Sequence, residues 1–409
     1  MLRSSLSALF MFAALSPAVD AQEPAWLAEA RARESGTMKA RTIESGDDGF
    51  RATVPARLSG KVEVADDSYS MTLDIGSESP VQCEVIRGGF DPANLLRAAA
   101  DITFAEVEPI HGKIEKKAVE RIDAGVVGHS PLLEIDWIYR ANDGSGPRLG
   151  AIKQAAAQKG GHGIYCAHIE LGYSQTFRNV VRSLVESLQM PDAEGHGEAY
   201  FFELETMRTN DMNVGVSMIR LVRDEDGDTK ATTLSSMLLP AGEGTVQAQD
   251  SYTTEWLRPD GSLINAAHVE IRNGEIESNL RLTEQDDGQW WVEGEHMGKA
   301  LEQSIAADVA PASLVQQAWQ RRELLDAEDP VGRQLTGKVW LSADPTRFSD
   351  WHARVTGVVG AGEYSAQETV AGLVFDTVLE TSTGLPVRFS MPLGPMTLTA
   401  QRAAVHGHF

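Results

Sequence analysis

The stretch Val246–Val292 reads VQAQDSYTTEWLRPDGSLINAAHVEIRNGEIESNLRLTEQDDGQWWV, and its punctuation decides the fold of the second half of the chain. Pro259-Asp260-Gly261, Asn273-Gly274 and Asp286-Asp287-Gly288 are three turn signals about a dozen residues apart. Asparagine and aspartate tolerate positive φ, glycine adopts it without a steric penalty, and proline presets the first corner of a turn. The segments between them, Val246 to Leu257, Leu263 to Ile271, Ile276 to Leu282 and Trp290 to Val292, are rich in β-branched and aromatic residues. Strands joined by such short turns lie antiparallel, with no crossover helix between them.

The pattern extends in both directions. Upstream, Phe201 to Met207, Val214 to Val222 and Thr232 to Leu239 read as strands, with Asp224-Glu225-Asp226-Gly227-Asp228 as an exposed turn. Downstream, Pro311 opens a predicted helix over 311–326 whose apolar surface carries Leu314, Val315, Ala318, Trp319 and Leu325. Strand signals return at Lys338 to Leu341, Ala353 to Val359, Tyr364 to Val370, Leu373 to Leu379 and Val387 to Met391. Met396 to Thr399 is expected as an edge strand, followed by a mobile tail over 401–409.

The first half is patterned differently. Val62, Val64, Tyr69, Met71, Leu73 and Ile75 alternate as a hairpin does, and Pro80 to Ile86 continues as a strand carrying Cys83. Asp91-Pro92 starts a helix that runs through Leu95, Leu96, Ala99, Ile102 and Val107, with the aspartate expected to cap it. Val119 to Val127 and Leu132 to Tyr139 are strands, Ile152 to Gln158 is expected as a helix, and Ile164 to Ile169 is a strand holding Cys166 and His168. Ser174 is expected to cap a helix through Phe177, Val180, Val181, Leu184, Val185 and Leu188. The fold class is therefore α+β. The expected domains are a signal segment over 1–21, a charged leader over 22–50, a small α+β domain over 51–191, and a β domain over 198–400.

The N-terminus carries one arginine, the apolar run Leu6 to Leu15, Pro17, and the small residues Val19 and Ala21 around a cleavage position before Gln22. That run is too short to span a bilayer and suits a cleaved export signal. Elsewhere no apolar stretch reaches the roughly 18 residues a spanning helix needs. The expected location is the periplasm, or outside the cell. There the only two cysteines, Cys83 and Cys166, are expected to form a disulfide closing a loop of about 80 residues.

The chain has 36 basic and 59 acidic side chains and a formal net charge of -23. Such a surface repels phosphate backbones, and no basic aromatic stripe offsets it, so nucleic acid is excluded as a partner. The acidic turn around Gly227 lacks the distal bidentate carboxylate of a calcium loop. His162, Cys166 and His168 do not complete a zinc site, and no nucleophile elbow, phosphate-cradling loop or dinucleotide fingerprint occurs. No metal, cofactor or catalytic residue is assigned from sequence.

On Asn213-Val214-Gly215, the turns at Asp260-Gly261, Asn273-Gly274 and Asp287-Gly288, the helix over 311–326, and Glu380-Thr381-Ser382-Thr383-Gly384-Leu385-Pro386-Val387, the second half resembles the broad group of exported proteins that includes the periplasmic lipoprotein carriers. The resemblance implies a strongly curved antiparallel sheet around a helix, with acyl chains shielded on its concave side. It makes Trp256, Trp290, Trp291, Trp340 and Trp351 candidate ligand-binding residues; Trp290 and Trp291, being adjacent, must point to opposite faces. The leading expectation is a non-enzymatic binding or envelope-maintenance protein whose partner is an apolar or lipid-like ligand or an envelope protein. An envelope hydrolase and a purely structural interaction module are the alternatives.

Overall fold

The computed structural model describes residues 25–45, 49–88, 91–190, 199–210, 212–242, 244–305, 309–393 and 396–409. The expected signal segment 1–21 and the expected boundary around 192–197 lie outside them. The chain divides into two compact units, one holding residues up to 196 together with 238–248, the other holding 197–237 and 249–409.

The first unit begins with α1 (Ala25–Arg31) and continues through the strands β1 (Arg41–Ser45), β2 (Phe50–Val54), β3 (Arg57–Leu58), β4 (Glu63–Val64), β5 (Ser68–Asp74) and β6 (Val81–Arg87). Then come α2 (Pro92–His111), β7 (Lys113–Val127), β8 (Ser130–Asn142), β9 (Pro147–Lys159), β10 (His162–Ile169) and α3 (Ser174–Ser187). The main sheet has the order β3-β5-β6-β10-β9-β8-β7, with β4 beside β5. Part of the charged leader is structural: β1 and β2 form a hairpin whose Ile43, Phe50, Ala52 and Val54 sit in the core with Phe177, Val181 and Val185 of α3. Cys83 and Cys166 face each other in register on β6 and β10 and form the expected disulfide, with a sequence separation of 83.

Three local readings are corrected. Ile152 to Gln158 is not a helix but the middle of β9. Its Ala151, Ala155, Ala156 and Ala157 are buried because α2 and α3 both pack on this strand, and small side chains let helices come close. Alanine's helix preference of a few tenths of a kcal/mol loses to that burial. Asp91 makes no side-chain cap, so Pro92 alone marks the start of α2. For α3 the residue before the helix is Tyr173, in a left-handed conformation at φ 55°, and Ser174 is already helical. Its first amides are met instead by Glu34, whose carboxylate accepts from Gln175 and Thr176 at 2.8 Å.

The second unit is built on β11 (Ala199–Thr209), β12 (Met212–Arg223), β13 (Thr229–Gly242), β14 (Thr245–Leu257), β15 (Leu263–Arg272), β16 (Glu275–Glu284), β17 (Trp290–His296) and β18 (Lys299–Ile305). Next are α4 (Leu314–Leu325), β19 (Gln334–Trp340), β20 (Phe348–Gly360), β21 (Glu363–Val370), β22 (Leu373–Glu380), β23 (Pro386–Leu393) and β24 (Met396–Gly407). The hairpin of β13 and β14 contributes 238–248 to the first unit. The sheet order is β18-β17-β16-β15-β14-β13-β12-β11-β24-β23-β22-β21-β20-β19. The last strand is therefore not an edge and does not end in a loose tail: β24 pairs with both β11 and β23 and joins two meanders into one sheet.

The two ends of that sheet meet. Trp290 on β17 packs edge-on against Phe348 on β20 at 5.9 Å, and Gln303 on β18 donates to the Thr346 carbonyl at 3.0 Å. Strands so far apart in the order can touch only if the sheet curls strongly, which the right-handed twist of successive strands favours. Helix α4 packs inside the curl, with Val315 and Ala318 among Phe201, Leu221, Leu257, Leu282, Trp290 and Leu385. This is the α+β architecture expected from the sequence, with the curved sheet around a packed helix.

In the first unit the disulfide clamps neighbouring strands of the main core. Replacing Cys83 and Cys166 together by alanine should cost about 2–5 kcal/mol, read as a lower denaturant midpoint for that unit. An unchanged midpoint would show that the bridge adds nothing to the core.

Candidate functional site

The five candidate tryptophans do not gather at one place: Trp290 and Trp340 pack on one core cluster and Trp351 lies in another. Trp290 and Trp351 are fully enclosed, at 2% and 0% exposure. Each removes roughly 200 Å² from water, on the order of 5 kcal/mol of packing. Trp351 also ties α4 to the sheet, because its indole N–H donates to Glu368 at 2.8 Å, and Arg321 of α4 lies over its ring and bonds the same carboxylate at 2.7 Å. Trp340 is half-buried and donates to the Pro345 carbonyl at 3.2 Å. Trp256 lies under the Lys230 ammonium at 5.5 Å, and Trp291 is half-buried on the face of β17 opposite Trp290, as strand alternation requires.

The indole that reaches solvent beside a cavity is Trp319 of α4, 36% exposed. Antiparallel strands bring their ends together, so the start of β11, the end of β12, the start of β13 and the end of β14 converge on α4 around a cleft of about 290 Å³. Pro259 and Trp319 supply its exposed apolar surface, and Leu257 and Val315 lie behind them in the core at 0% and 4% exposure. The ring's seat depends on Gly261, which sits at φ +75° in the turn before β15; a Cβ there would come within 2.6 Å of the indole. That turn also anchors the helix: Ser313 donates its hydroxyl to the Gly261 carbonyl at 2.7 Å and accepts from the Gln316 amide at 3.1 Å. The Leu314 amide donates to the Glu255 carboxylate at 2.9 Å.

Two arginines border the cleft and differ in what they do. Arg258 is held by Glu284 at 2.6 Å, by the Leu263 carbonyl at 3.1 Å and by Ser262 at 3.3 Å. Arg223 stacks over the Tyr200 ring at 4.8 Å and makes no ion pair among the described residues. The adjacent acidic turn does not capture it, since Asp224 turns its carboxylate onto the amides of Asp226 and Asp228.

Elsewhere in the unit, carboxyl groups sit in unusual surroundings. Glu203 and Glu205 share one face of β11 and are buried at 1% and 7% exposure. Arg402 of β24 contacts Glu203 at 2.9 Å and Glu380 at 2.7 Å. Burial and the neighbouring Glu203 charge push Glu205 up to about 7, and burial pushes Glu255 up to about 7. His268, bonded to Thr253 at 2.9 Å, is held down by burial.

The first unit carries a row of ionisable side chains across its sheet: Arg121, Asp136, Lys153 and His168 are successive cross-strand neighbours. Arg121 bonds Asp123, Glu134 and Asp136 at 2.7, 2.9 and 3.0 Å. Lys153 donates to the Glu170 carbonyl, and burial lowers it to about 8. His168 meets the Ser79 carbonyl at 3.1 Å, and burial pushes it down to about 3. These groups are engaged with one another, and the disulfide removes the Cys166 thiol. Among the described residues no group of three or more His, Cys, Asp and Glu is placed to hold a metal ion.

No family model matches the chain, and no curated protein matches it. Among solved structures, it is similar to a β-barrel-like protein of the domain of unknown function DUF1849 from Brucella abortus. That match has 9% identity and a TM-score of 0.40, and covers 51% of this chain and 98% of the other. A second is a DUF1089-family protein from Pseudomonas aeruginosa, at 16% identity and a TM-score of 0.21, covering 46% of this chain and 89% of the other.

The raised carboxyls set a pH dependence. A carboxyl whose folded pKa lies near 7 against 4.5 unfolded favours the folded state when protonated, so its ionisation lowers stability as pH rises from about 4.5 through 7. The loss is on the order of 3 kcal/mol per group at most. Glu255→Gln should therefore be more stable than the parent at pH 8 and nearly equal to it at pH 4.5, measured by denaturant unfolding. A variant that loses more stability at pH 8 than at pH 4.5 would contradict the assignment.

Proposed function

We propose that the chain is an exported, non-enzymatic binding protein of the cell envelope, and that its second unit holds an apolar or lipid-like ligand in the cleft beside α4. The observation that carries this reading is the cleft itself: a solvent-reachable space beside the half-exposed Trp319 indole and the exposed Pro259, with a lining about equally polar and apolar. Small-molecule sites are concave, mostly apolar, and equipped with a few polar groups that orient the ligand, which Arg223, Tyr200 and Thr229 supply here. The apolar run before Gln22 and the disulfide support an oxidising compartment reached by export.

This reading moves the site away from the tryptophans that sequence singles out. Trp290 and Trp351 build the wall that holds α4, and α4 presents Trp319. Native mass spectrometry of gently purified protein, followed by organic extraction, is expected to show a bound small apolar species. Protein that is empty and also fails to bind a broad panel of lipids and single-chain amphiphiles would overturn the proposal.

A further inference from the structure

We infer that the ligand of this cleft is a small monoanionic amphiphile, one acyl chain or one aromatic ring ending in an anionic group, with its head taken by Arg223 and its body laid against Trp319. The inference rests on the binding role proposed above and adds the chemical class of the ligand.

Size sets the first limit. About 290 Å³ lies at the lower end of small-molecule sites. It suits one medium chain or one ring; a two-chain lipid would leave most of its apolar surface in water.

The head group follows from the arginines. Arg258 has its donors committed to Glu284, Ser262 and the Leu263 carbonyl. Arg223 has its plane fixed by stacking on Tyr200, while its edge carries N–H donors that pair with no carboxylate among the described residues. A planar guanidinium held this way is suited to a carboxylate or another oxyanion, which it can grip with two parallel hydrogen bonds.

The acidic turn sharpens the choice. Asp224, Glu225, Asp226 and Asp228 flank Arg223 in sequence, and Arg258 and Glu284 stand across the cleft as a neutral pair. These carboxylates are solvent-exposed or half-buried, and Asp224 is turned onto the Asp226 and Asp228 amides, so a single negative charge at Arg223 meets one opposite charge in direct contact. A doubly charged head doubles the repulsion but meets the same single guanidinium, which disfavours polyanions.

The test uses the full mature chain and three probes with the same ten-carbon tail: decanoate, decanol and decyltrimethylammonium, titrated by calorimetry below their aggregation concentrations. Decanoate is expected to bind about two- to fivefold more tightly than decanol, the scale of one exposed charge-assisted contact, and the ammonium more weakly than either. Arg223→Gln should reduce decanoate to the level of decanol and leave decanol unchanged, while Trp319→Ala should weaken both. Equal affinity for decanoate and decanol, or tightest binding of the ammonium, would overturn the head-group assignment and leave the apolar cleft standing. Failure of all three probes to bind would overturn the cleft as well.

Discussion

The second unit depends on how the N-terminus of α4 is seated. An isolated twelve-residue helix is marginal in water, and its first amides need acceptors. Two contacts meet that need, the reciprocal cap between Ser313 and Gln316 and the Glu255 carboxylate on the Leu314 amide, and the Ser313 hydroxyl adds an anchor by donating to the Gly261 carbonyl. They tie the helix to the β14–β15 turn. Farther along, Gly384 lets the chain pass against the Ala318 carbonyl, where any Cβ would come within 2.0 Å, and Arg321 reaches Glu368 and Trp351. Once the helix is fixed at both ends, the strands have a core to curl around, and the sheet edges meet through Trp290 and Phe348.

That arrangement places the cleft. Without the helix the ends of β11, β12 and β14 would simply be a sheet rim; with it, Trp319 and Val315 close one side. It also explains the location of the buried charge. Burial raises the Glu255 pKa although the Leu314 amide donates to its carboxylate, so desolvation outweighs that hydrogen bond. Glu205 is raised for a related reason, with the adjacent Glu203 opposing its ionisation and Arg402 only partly compensating.

Much of the fold was legible in the sequence because turns are written in short local code. Asp260-Gly261, Asn273-Gly274 and Asp287-Gly288 all close hairpins, and the disulfide follows from there being two cysteines behind an export-like segment. The missed elements have physical reasons. Strand β18 is short and mostly polar, and is defined only by pairing with β17. The Ala-rich β9 has helix-forming residues and becomes a strand because two helices cover it. β24 reads locally as a short edge strand over Met396 to Thr399 followed by a tail, and only long-range pairing to β11 extends it and makes it central. The site was less legible. Bulky tryptophans mark buried packing as readily as binding: Trp290 and Trp351 are enclosed in the core, and Trp319 is the indole beside the cleft. A signal for α4 was available in the Ser313-x-x-Gln316 capping box, but nothing local announces that Arg223 stacks on Tyr200.

Hydrogen exchange of the full chain in its native state tests the central claim most directly, because it reads the free energy of opening residue by residue. If the sheet curls around a seated α4, the amides from Gln317 to Leu325 should exchange about as slowly as those of β11 and β24, since the helix cannot open without the core opening. Amides of α4 that exchange orders of magnitude faster than those strands would contradict the account, because the curl and the cleft beside it would then exist without their helix.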